Sequence, residues 1–316
     1  MILALAGGVG GARLADGLAA LLGPELAVIV NTGDDFEHLG LSVSPDLDTV
    51  MYTLAGIANA ETGWGIAGES WNFLDQVERL GGPGWFRLGD RDLATHVLRS
   101  ERLRQGERLT AITADLCRRL GIAAGVLPMC DGPVRTMVET EAGPLAFQDY
   151  FVRLRCAPAV TGFAFAGVER AGPSPEFRAA LGDAGLAAIL VCPSNPFVSI
   201  DPILAVPGLE ALLRGRGVPI VAVSPIIGGA AVKGPAAKMM QELGLEVSAL
   251  AVAEHYRGFI DALLIDQADA ALAPRIESLG MAAPVAPTLM RTRADRRDLA
   301  ARCLEIATAL RSARGA

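Results

Sequence analysis

A run of glycines directly follows the first apolar stretch of this chain. Ile2–Ala6 is apolar, Gly7–Gly11 contains four glycines, and Ala12–Leu22 has the leucine spacing of a helix. Glycine lets a backbone approach a phosphate closely, and a helix N-terminus offers free N–H groups and a positive dipole end. The run is not a full G-x-G-x-x-G motif, because Arg13 stands at the third glycine position. We predict phosphate or nucleotide contacts here, with a tight turn lacking a ligand as the alternative; the candidate residues are Gly7, Gly8, Gly10 and Gly11.

Two carboxylates stand two residues apart in the segment Pro45–Thr49. In an extended segment, Asp46 and Asp48 face the same way and Leu47 faces the other side. Magnesium in proteins usually takes one or two carboxylates together with phosphate oxygens of a substrate. The pair therefore predicts an Mg²⁺ site, and a helix N-cap at Asp48 is the alternative explanation.

Polar residues also follow the other apolar strands that the sequence predicts. In a dinucleotide fold, an acid after the second strand, here Asp34, binds a ribose, but such residues also form ordinary turns. A further acid–base cluster, Leu88–Asp92 with His96, contains Arg91, whose guanidinium suits a phosphate; an ion-pair turn at the surface is the simpler explanation. The candidate nucleotide- or substrate-binding residues at the strand ends are Asn31, Asp34, Ser194, Asn195, Ser224 and Gly228.

The elements that carry these loops define the expected fold. Short apolar strands alternate with helical stretches at the start of the chain and again after residue 180, which is typical of a parallel sheet covered by helices. We predict an α/β, Rossmann-like fold with a mostly parallel sheet, helices on both faces and a largely helical insertion. The core is residues 1–50 plus 181–316, and the insertion is residues 51–180. One of the later predicted strands is Ala249–Val252. Loops at the carboxyl ends of such strands converge on one cleft.

Charge and cysteine content restrict the partners. The 316 residues carry 28 basic and 35 acidic side chains, a net charge of −7, which disfavours binding of long nucleic acid. Five scattered cysteines without a C-x-x-C motif predict reduced thiols and a cytoplasmic location. No apolar run approaches the ~20 residues of a membrane helix, and the apolar start lacks the basic region of a signal peptide. The mean hydropathy of +0.37 predicts a homodimer that buries an apolar patch.

Several sequence blocks, taken together and in order, carry a family resemblance. They include Gly7–Gly11, Ser44–Thr49, Leu88–Asp92, Ser194–Pro196 and Ser224–Gly228. From Gly7 to about Met290, the chain resembles the 2-phospho-L-lactate transferases, which make the deazaflavin coenzyme F-420. The resemblance implies transfer of phospholactate, or of phosphoenolpyruvate in some members, from a guanosine diphosphate-type donor. The acceptor is the ribityl hydroxyl of 7,8-didemethyl-8-hydroxy-5-deazariboflavin (Fo), and GMP is released.

The resemblance also implies roles for particular residues. It links Asp48, Arg91 and less directly Asp46 to the Fo site, and it matches Lys238 to a frequent family lysine. On this hypothesis Asp46 and Asp48 hold Mg²⁺ or orient the acceptor hydroxyl, and Asp48 is the candidate general base. His96 and Lys238 join the candidate binding residues.

Two other classes of protein stay open. A related branch of the superfamily resembles this fold but binds UDP-sugars and regulates cell-wall metabolism without catalysis; the intact PDLDT and LGDRD blocks disfavour that class. An NAD-dependent oxidoreductase fits the glycine turn, but the third glycine of its motif is missing. A preference for guanine over uridine nucleotides would distinguish the transferase from the regulator, and lack of NAD binding would dispose of the oxidoreductase.

Overall fold

A parallel sheet forms the centre of the computed structural model, which describes residues 1–315. The strands of this sheet and of three small antiparallel sheets are β1 (Ile2–Ala6), β2 (Leu26–Val30), β3 (Phe36–His38), β4 (Leu41–Val43), β5 (Gly125–Pro128), β6 (Arg135–Thr140), β7 (Leu145–Ala146), β8 (Val160–Ala166), β9 (Ala188–Val191), β10 (Ile220–Val223), β11 (Ile226–Ile227), β12 (Ala230–Ala231) and β13 (Ala262–Leu264). The helices are α1 (Gly8–Leu22), α2 (Pro45–Leu54), α3 (Asn72–Arg79), α4 (Asp90–Arg104), α5 (Leu109–Arg119), α6 (Pro175–Gly182), α7 (Asp201–Leu204), α8 (Leu209–Gly215), α9 (Ala236–Glu242), α10 (Ala249–His255), α11 (Ala273–Glu277) and α12 (Arg293–Gly315).

The central sheet has the strand order β13-β10-β9-β1-β2-β5, with all neighbours parallel. Its strands are short and apolar because helices cover both faces. In β1, Leu3 and Leu5 pack into the core on one face, while Ile2, Ala4 and Ala6 pack into the core on the other. The first core includes α6, α8, α9 and α10, and the second includes α1, α2, α5 and α12. The predicted α/β fold with helices on both faces is confirmed.

The segment 51–180, expected to be a mostly helical insertion, has mixed structure. It holds α3, α4 and α5, and also a three-stranded antiparallel sheet of order β7-β6-β8. It also holds β5, which pairs with β2 at the edge of the central sheet, with Gly125 opposite Ala27. This strand therefore belongs to the core although the expected boundaries left it outside, because four apolar residues alone do not distinguish an edge strand from a turn.

Two local predictions from sequence are wrong. Ala249–Val252 is not a strand but the start of α10, whose N-terminus is capped by Ser248: its Oγ accepts a hydrogen bond from the Ala251 N–H. A short apolar run has no period that separates a buried helix from a strand. The Pro45–Thr49 segment is helical rather than extended, because Pro45 occupies the first turn of α2. Residues two apart on a helix point about 200° apart, so Asp46 and Asp48 do not face the same way.

The chain order of the strands creates a switch point beside β1. From β1 the chain continues outwards to β2 and β5, and it then returns to add β9, β10 and β13 on the other side. The loops that follow β1 and β9 are therefore neighbours although 187 residues separate Gly7 from Ser194. Open α/β sheets bind their ligands in the crevice at such a point.

Among residues 1–315, no single helix is long and apolar enough to span a membrane. Two adjacent helical segments, Pro196–Leu204 and Leu209–Gly215, meet that criterion only in combination, and they are bent by 80°. All five cysteines of the described chain are free thiols.

The crossing of α1 and α12 depends on one glycine. A Cβ placed on Gly17 would lie 2.1 Å from the Arg296 carbonyl oxygen, a backbone atom of α12. We expect Gly17→Ala to force the helices apart and to lower the free energy of unfolding by about 1–3 kcal/mol. In the control, Gly215→Ala, the new methyl group meets nothing within 4 Å, and helix propensity predicts a gain of about 0.5–1 kcal/mol. Urea unfolding measures both; equal stability of the two variants would contradict the prediction.

Candidate functional site

A cleft of about 690 Å³ opens at the carboxyl ends of β1, β2, β9 and β10. Its size suits a nucleotide-sized ligand. The loops after all four strands contribute to its wall, so the expected convergence is observed. The predicted site residues that line the cleft are Gly7, Gly8, Gly10, Asp34, Asp46, Asp48, His96, Ser194, Asn195 and Ser224.

The glycine loop is held against the loop that follows β9. The Gly7 N–H donates to Ser194 Oγ at 3.0 Å, and Ser194 Oγ donates to the Gly7 carbonyl at 2.8 Å. A Cβ on Gly10 would lie 2.2 Å from the Pro193 carbonyl oxygen, and Gly8 has a φ of +62°, so both positions require glycine. The result is a half-buried N-terminus of α1 at the base of the cleft, where the helix dipole and the backbone N–H groups that follow Gly8 favour an anion.

Two buried carboxylates lie next to this helix start. Asp46 Oδ1 accepts from the Gly8 N–H at 2.8 Å, and its Oδ2 accepts from Asn31 Nδ2 at 3.0 Å. Burial raises the pKa of Asp46 to about 6. Burial, and then repulsion by Asp46, raises the pKa of Asp34 well above its usual range. In the described chain, Asp34 Oδ1 has no hydrogen-bond partner.

A second acidic group, around Asp48, is electrostatically balanced. Both oxygens of Asp48 accept from the buried guanidinium of Arg99, one of them at 3.0 Å. Burial opposes the charge of Arg99, but the Asp48 carboxylate raises the pKa of Arg99 above its usual value. His96 lies between two acids: its Nε2 is 3.2 Å from Asp92 Oδ1 and its Nδ1 is 3.6 Å from Asp48 Oδ2. Tyr52 donates to the same Asp92 oxygen at 2.7 Å.

The charge state of Asp92 follows from these neighbours. Burial would raise the pKa of its carboxyl, but the nearby His96 and the hydrogen bond from Tyr52 outweigh burial and hold the pKa below the usual value. One ligand atom each from Asp48, Asp92 and His96 lie within 4.8 Å of one another, so these residues have metal-ligand spacing. A metal there would compete with the Arg99 cation for the Asp48 oxygens.

The two acidic groups therefore differ in their fit to a divalent cation. The Asp34 and Asp46 carboxylates are buried beside each other, repel each other and lack a cationic side chain as a hydrogen-bond partner in residues 1–315. Hard carboxylate oxygens without a counter-charge suit Mg²⁺. Asp48 already has its counter-charge in Arg99. The residues present fit Mg²⁺ at Asp34 and Asp46 better than at the predicted pair Asp46 and Asp48.

Five predicted site residues do not line the cleft: Gly11, Asn31, Arg91, Gly228 and Lys238. Gly11 packs against Ser194, and the Asn31 side chain positions Asp46 by donating a hydrogen bond to its Oδ2.

The other three have partners elsewhere. Arg91 is exposed and donates to the Ala67 carbonyl. The Gly228 N–H donates to Asp269. Lys238 forms an ion pair with Glu242.

Aromatic side chains form the part of the cleft wall near His96. Trp85 and Phe86 line the cleft and pack with Phe36 and His38 in edge-to-face and tilted geometry, with ring centroids 4.7 to 6.1 Å apart. In a later part of the chain, Phe147 stacks on Phe151 with a centroid distance of 5.4 Å, and both residues also line the cleft. These surfaces suit a planar ring system.

Sequence reasoning missed Arg99 and Tyr52, which complete the balanced acidic group. A signal for Arg99 was available: Asp92, His96 and Arg99 recur at i, i+4 and i+7, so all three lie on one face of α4. Their burial shows that this polar stripe faces inwards. Tyr52 on α2 carried no such signal, because its partner comes from another helix.

Comparisons with known proteins show the family to which the chain belongs. Residues 2–301 match the family model described as 2-phospho-L-lactate transferase CofD. Phosphoenolpyruvate transferases of Streptomyces griseus and Kitasatospora aureofaciens are 43% and 46% identical to the chain. The matches cover 98% of this chain and 99% of the first protein, and 92% of this chain and 92% of the second. A 2-phospho-L-lactate transferase of Methanosarcina mazei is 41% identical over 95% of this chain and 98% of that protein.

A solved structure from Bacillus halodurans, a member of the UPF0052 family, shares the fold. Its TM-score is 0.62 and its sequence identity is 14%, over 96% of this chain and 98% of that chain. The site and the family model together define the class of protein as a transferase. The chain belongs to the 2-phospho-L-lactate transferase family.

Replacing Arg99 should show how strongly the buried Asp48 carboxylate destabilises the fold when its cation is missing. We expect Arg99→Met to lower the free energy of unfolding by about 3–5 kcal/mol, because it leaves a buried carboxylate without its cation. The exposed pair of Arg118 with Asp115 offers a control, since Arg118→Met should cost less than about 1 kcal/mol. Urea unfolding at pH 7 measures both, and similar values for the two variants would contradict the buried ion pair.

The raised pKa values predict an unusual pH dependence of stability in a buffer with EDTA. Burial raises the pKa of Asp35 to about 7, and that of Asp46 is about 6, so the folded chain keeps protons that the unfolded chain releases above about pH 4. Stability from these groups is therefore lost as pH rises to about 7. We expect these two groups to lower the free energy of unfolding by up to about 3 kcal/mol from pH 5.5 to 8, and the raised pKa of Asp34 adds a fall in the same direction. Asp35→Asn should flatten this slope; an unchanged slope would show that Asp35 is not responsible.

Proposed function

We propose that this chain transfers a phosphorylated three-carbon acid from a guanosine diphosphate-type donor to the ribityl hydroxyl of the deazaflavin Fo, with release of GMP, in coenzyme F-420 biosynthesis. The observation that carries the proposal is the unbalanced Asp34–Asp46 pair beside the N-terminus of α1. An anion-binding helix start next to a cation site suits a diphosphate with its metal. Family membership supports the same reaction class.

In this proposal the donor lies over the glycine loop. Backbone N–H groups of the loop, with Ser194 and Asn195 at the neighbouring strand end, contact its phosphates. Asp34 and Asp46 hold Mg²⁺, which when bound neutralises charge on the phosphates and on the departing GMP. The chain itself mainly positions the reactants, as phosphoryl-group chemistry requires little covalent work from the protein.

The acceptor occupies the aromatic side of the cleft. Trp85 and Phe86 contact the deazaflavin ring, and the ribityl chain extends towards Asp48 and His96. Asp48, held by Arg99, and His96 are the groups available to orient the hydroxyl and accept its proton. The implied role of Arg91 at the Fo site stays a prediction; Arg87, which lines the cleft and lies over the Trp71 ring, supplies a cation on that side.

The identity of the acid is tested by product mass. Purified protein is incubated with Mg²⁺, Fo and either the lactyl or the enolpyruvyl diphosphoguanosine donor, and GMP release is measured beside the deazaflavin product. We expect a phosphodiester of Fo, and the two possible products differ by two hydrogen atoms. Binding of UDP-sugars with no product from either donor would contradict the proposal and favour a regulator. The expected homodimer and cytoplasmic location stay proposals, for which light scattering and cell fractionation are the measurements.

Magnesium binding has a readout that does not depend on turnover. We expect Mg²⁺ alone to raise the melting temperature of the wild type by about 2–4 °C at pH 8, through binding to the folded state. Asp34→Asn and Asp46→Asn should lose this rise, whereas Asp48→Asn should keep it, because Asp48 is neutralised by Arg99. An Asp46→Asn protein that Mg²⁺ stabilises as strongly as the wild type would refute this ligand set.

A further inference from the structure

Two basic side chains in the cleft wall, Arg13 and Lys233, have no acidic partner. Both line the cleft. Arg13 Nη1 donates to the Met290 carbonyl at 3.1 Å, and Lys233 Nζ donates to the Thr62 carbonyl at 3.2 Å. Within residues 1–315, neither basic group lies within 4.0 Å of a carboxylate. Backbone carbonyls orient the two groups but leave their charge uncompensated.

The two cations also repel each other. Burial, and then the charge of Arg13, lowers the pKa of Lys233. Burial, and then the charge of Arg296, lowers the pKa of Arg13. Like charges held close together destabilise the charged form of each group. A bound anion would remove this cost, so the arrangement favours anion binding.

The positions of both groups are fixed by their surroundings. Arg13 lies on α1 five residues after Gly8, and helical side chains lean towards the helix N-terminus, which here faces the cleft. Lys233 contacts the part of the cleft wall formed by residues 62–65: a Cβ on Gly63 would lie 2.6 Å from Lys233 Nζ and 3.2 Å from Val9. The lysine tip therefore lies close to both this segment and the glycine loop.

We propose that Arg13 and Lys233 form an anion subsite for the group that the enzyme transfers, separate from the phosphate at the start of α1. This inference rests on the proposed function for the identity of the donor. The shared chemistry is an anionic oxygen group, either the second phosphate of the donor or the carboxylate of its three-carbon acid. Arg13 provides a planar fork and Lys233 a point charge, a combination that suits either group.

The test compares ligands that differ in these groups. Binding of GDP, GMP and inorganic pyrophosphate is measured by calorimetry for the wild type, Arg13→Gln and Lys233→Gln, with donor KM measured in parallel. For a charged hydrogen bond we expect each variant to lose about tenfold in GDP affinity, with GMP affinity changed less than about twofold. Lys233→Arg should recover most of the loss. Arg170→Gln, which removes one exposed charge far from the cleft wall, is the charge-matched control.

The outcomes distinguish the two candidate anions, and they test the subsite separately from the proposed function. A selective loss of GDP affinity assigns the subsite to the second phosphate, whereas unchanged GDP affinity with a tenfold higher donor KM assigns it to the carboxylate. Unchanged GDP affinity, pyrophosphate affinity and KM in folded variants, checked by circular dichroism, would overturn the subsite while leaving the proposed function intact. If the wild type binds no guanine nucleotide and forms no product, the proposed function is wrong. Pyrophosphate binding that the two variants lose would then still support the subsite.

Discussion

The backbone contact between the glycine loop and the loop after β9 is the constraint on which the site depends. Gly10 touches the Pro193 carbonyl so closely that no side chain fits between them, and Ser194 joins the two loops by accepting from and donating to Gly7. This contact holds the start of α1 at the carboxyl end of β1, where the glycine loop lines the cleft. It also brings Gly8 within hydrogen-bond distance of Asp46, so the acidic pair depends on the same contact.

Electrostatic balance divides the cleft into two parts. Around Asp48, the charge of the carboxylates is balanced by the cation of Arg99 and by hydrogen bonds. Around Asp34 and Asp46, negative charge lacks a protein counter-charge, and at Arg13 and Lys233 positive charge lacks one. Opposite unbalanced charges in one cleft are the arrangement expected for a ligand that brings both a metal and anionic oxygens. These uncompensated charges lower the free energy of unfolding of the chain without its ligand.

The sequence allowed the fold and the cleft to be predicted because both depend on local signals. Short apolar strands that end in glycine or polar residues specify a parallel sheet and the edge at which its loops meet. The failures have two sources: a local helix-start signal that was not used, and packing information that is not local. Proline at the start of α2 turned an expected extended pair into residues on different helix faces. Arg91 and Arg99 both lie on α4; spacing places Arg99 on the face of Asp92 and His96, but the packing of the helix decides that this face points inwards.

The scarcity of lysine has a practical consequence for covalent chemistry. The chain has only two lysine side chains, and one of them, Lys238, is occupied by its ion pair with Glu242. Lys233, with its lowered pKa, holds a larger fraction of neutral, nucleophilic amine near neutral pH than a lysine with the ordinary pKa does. The side-chain amine that reacts with an acylating reagent of nucleotide size would thus be the one in the cleft, Lys233 Nζ. The same residue that gives the wall its positive charge offers a natural attachment point for fluorophores or covalent inhibitors.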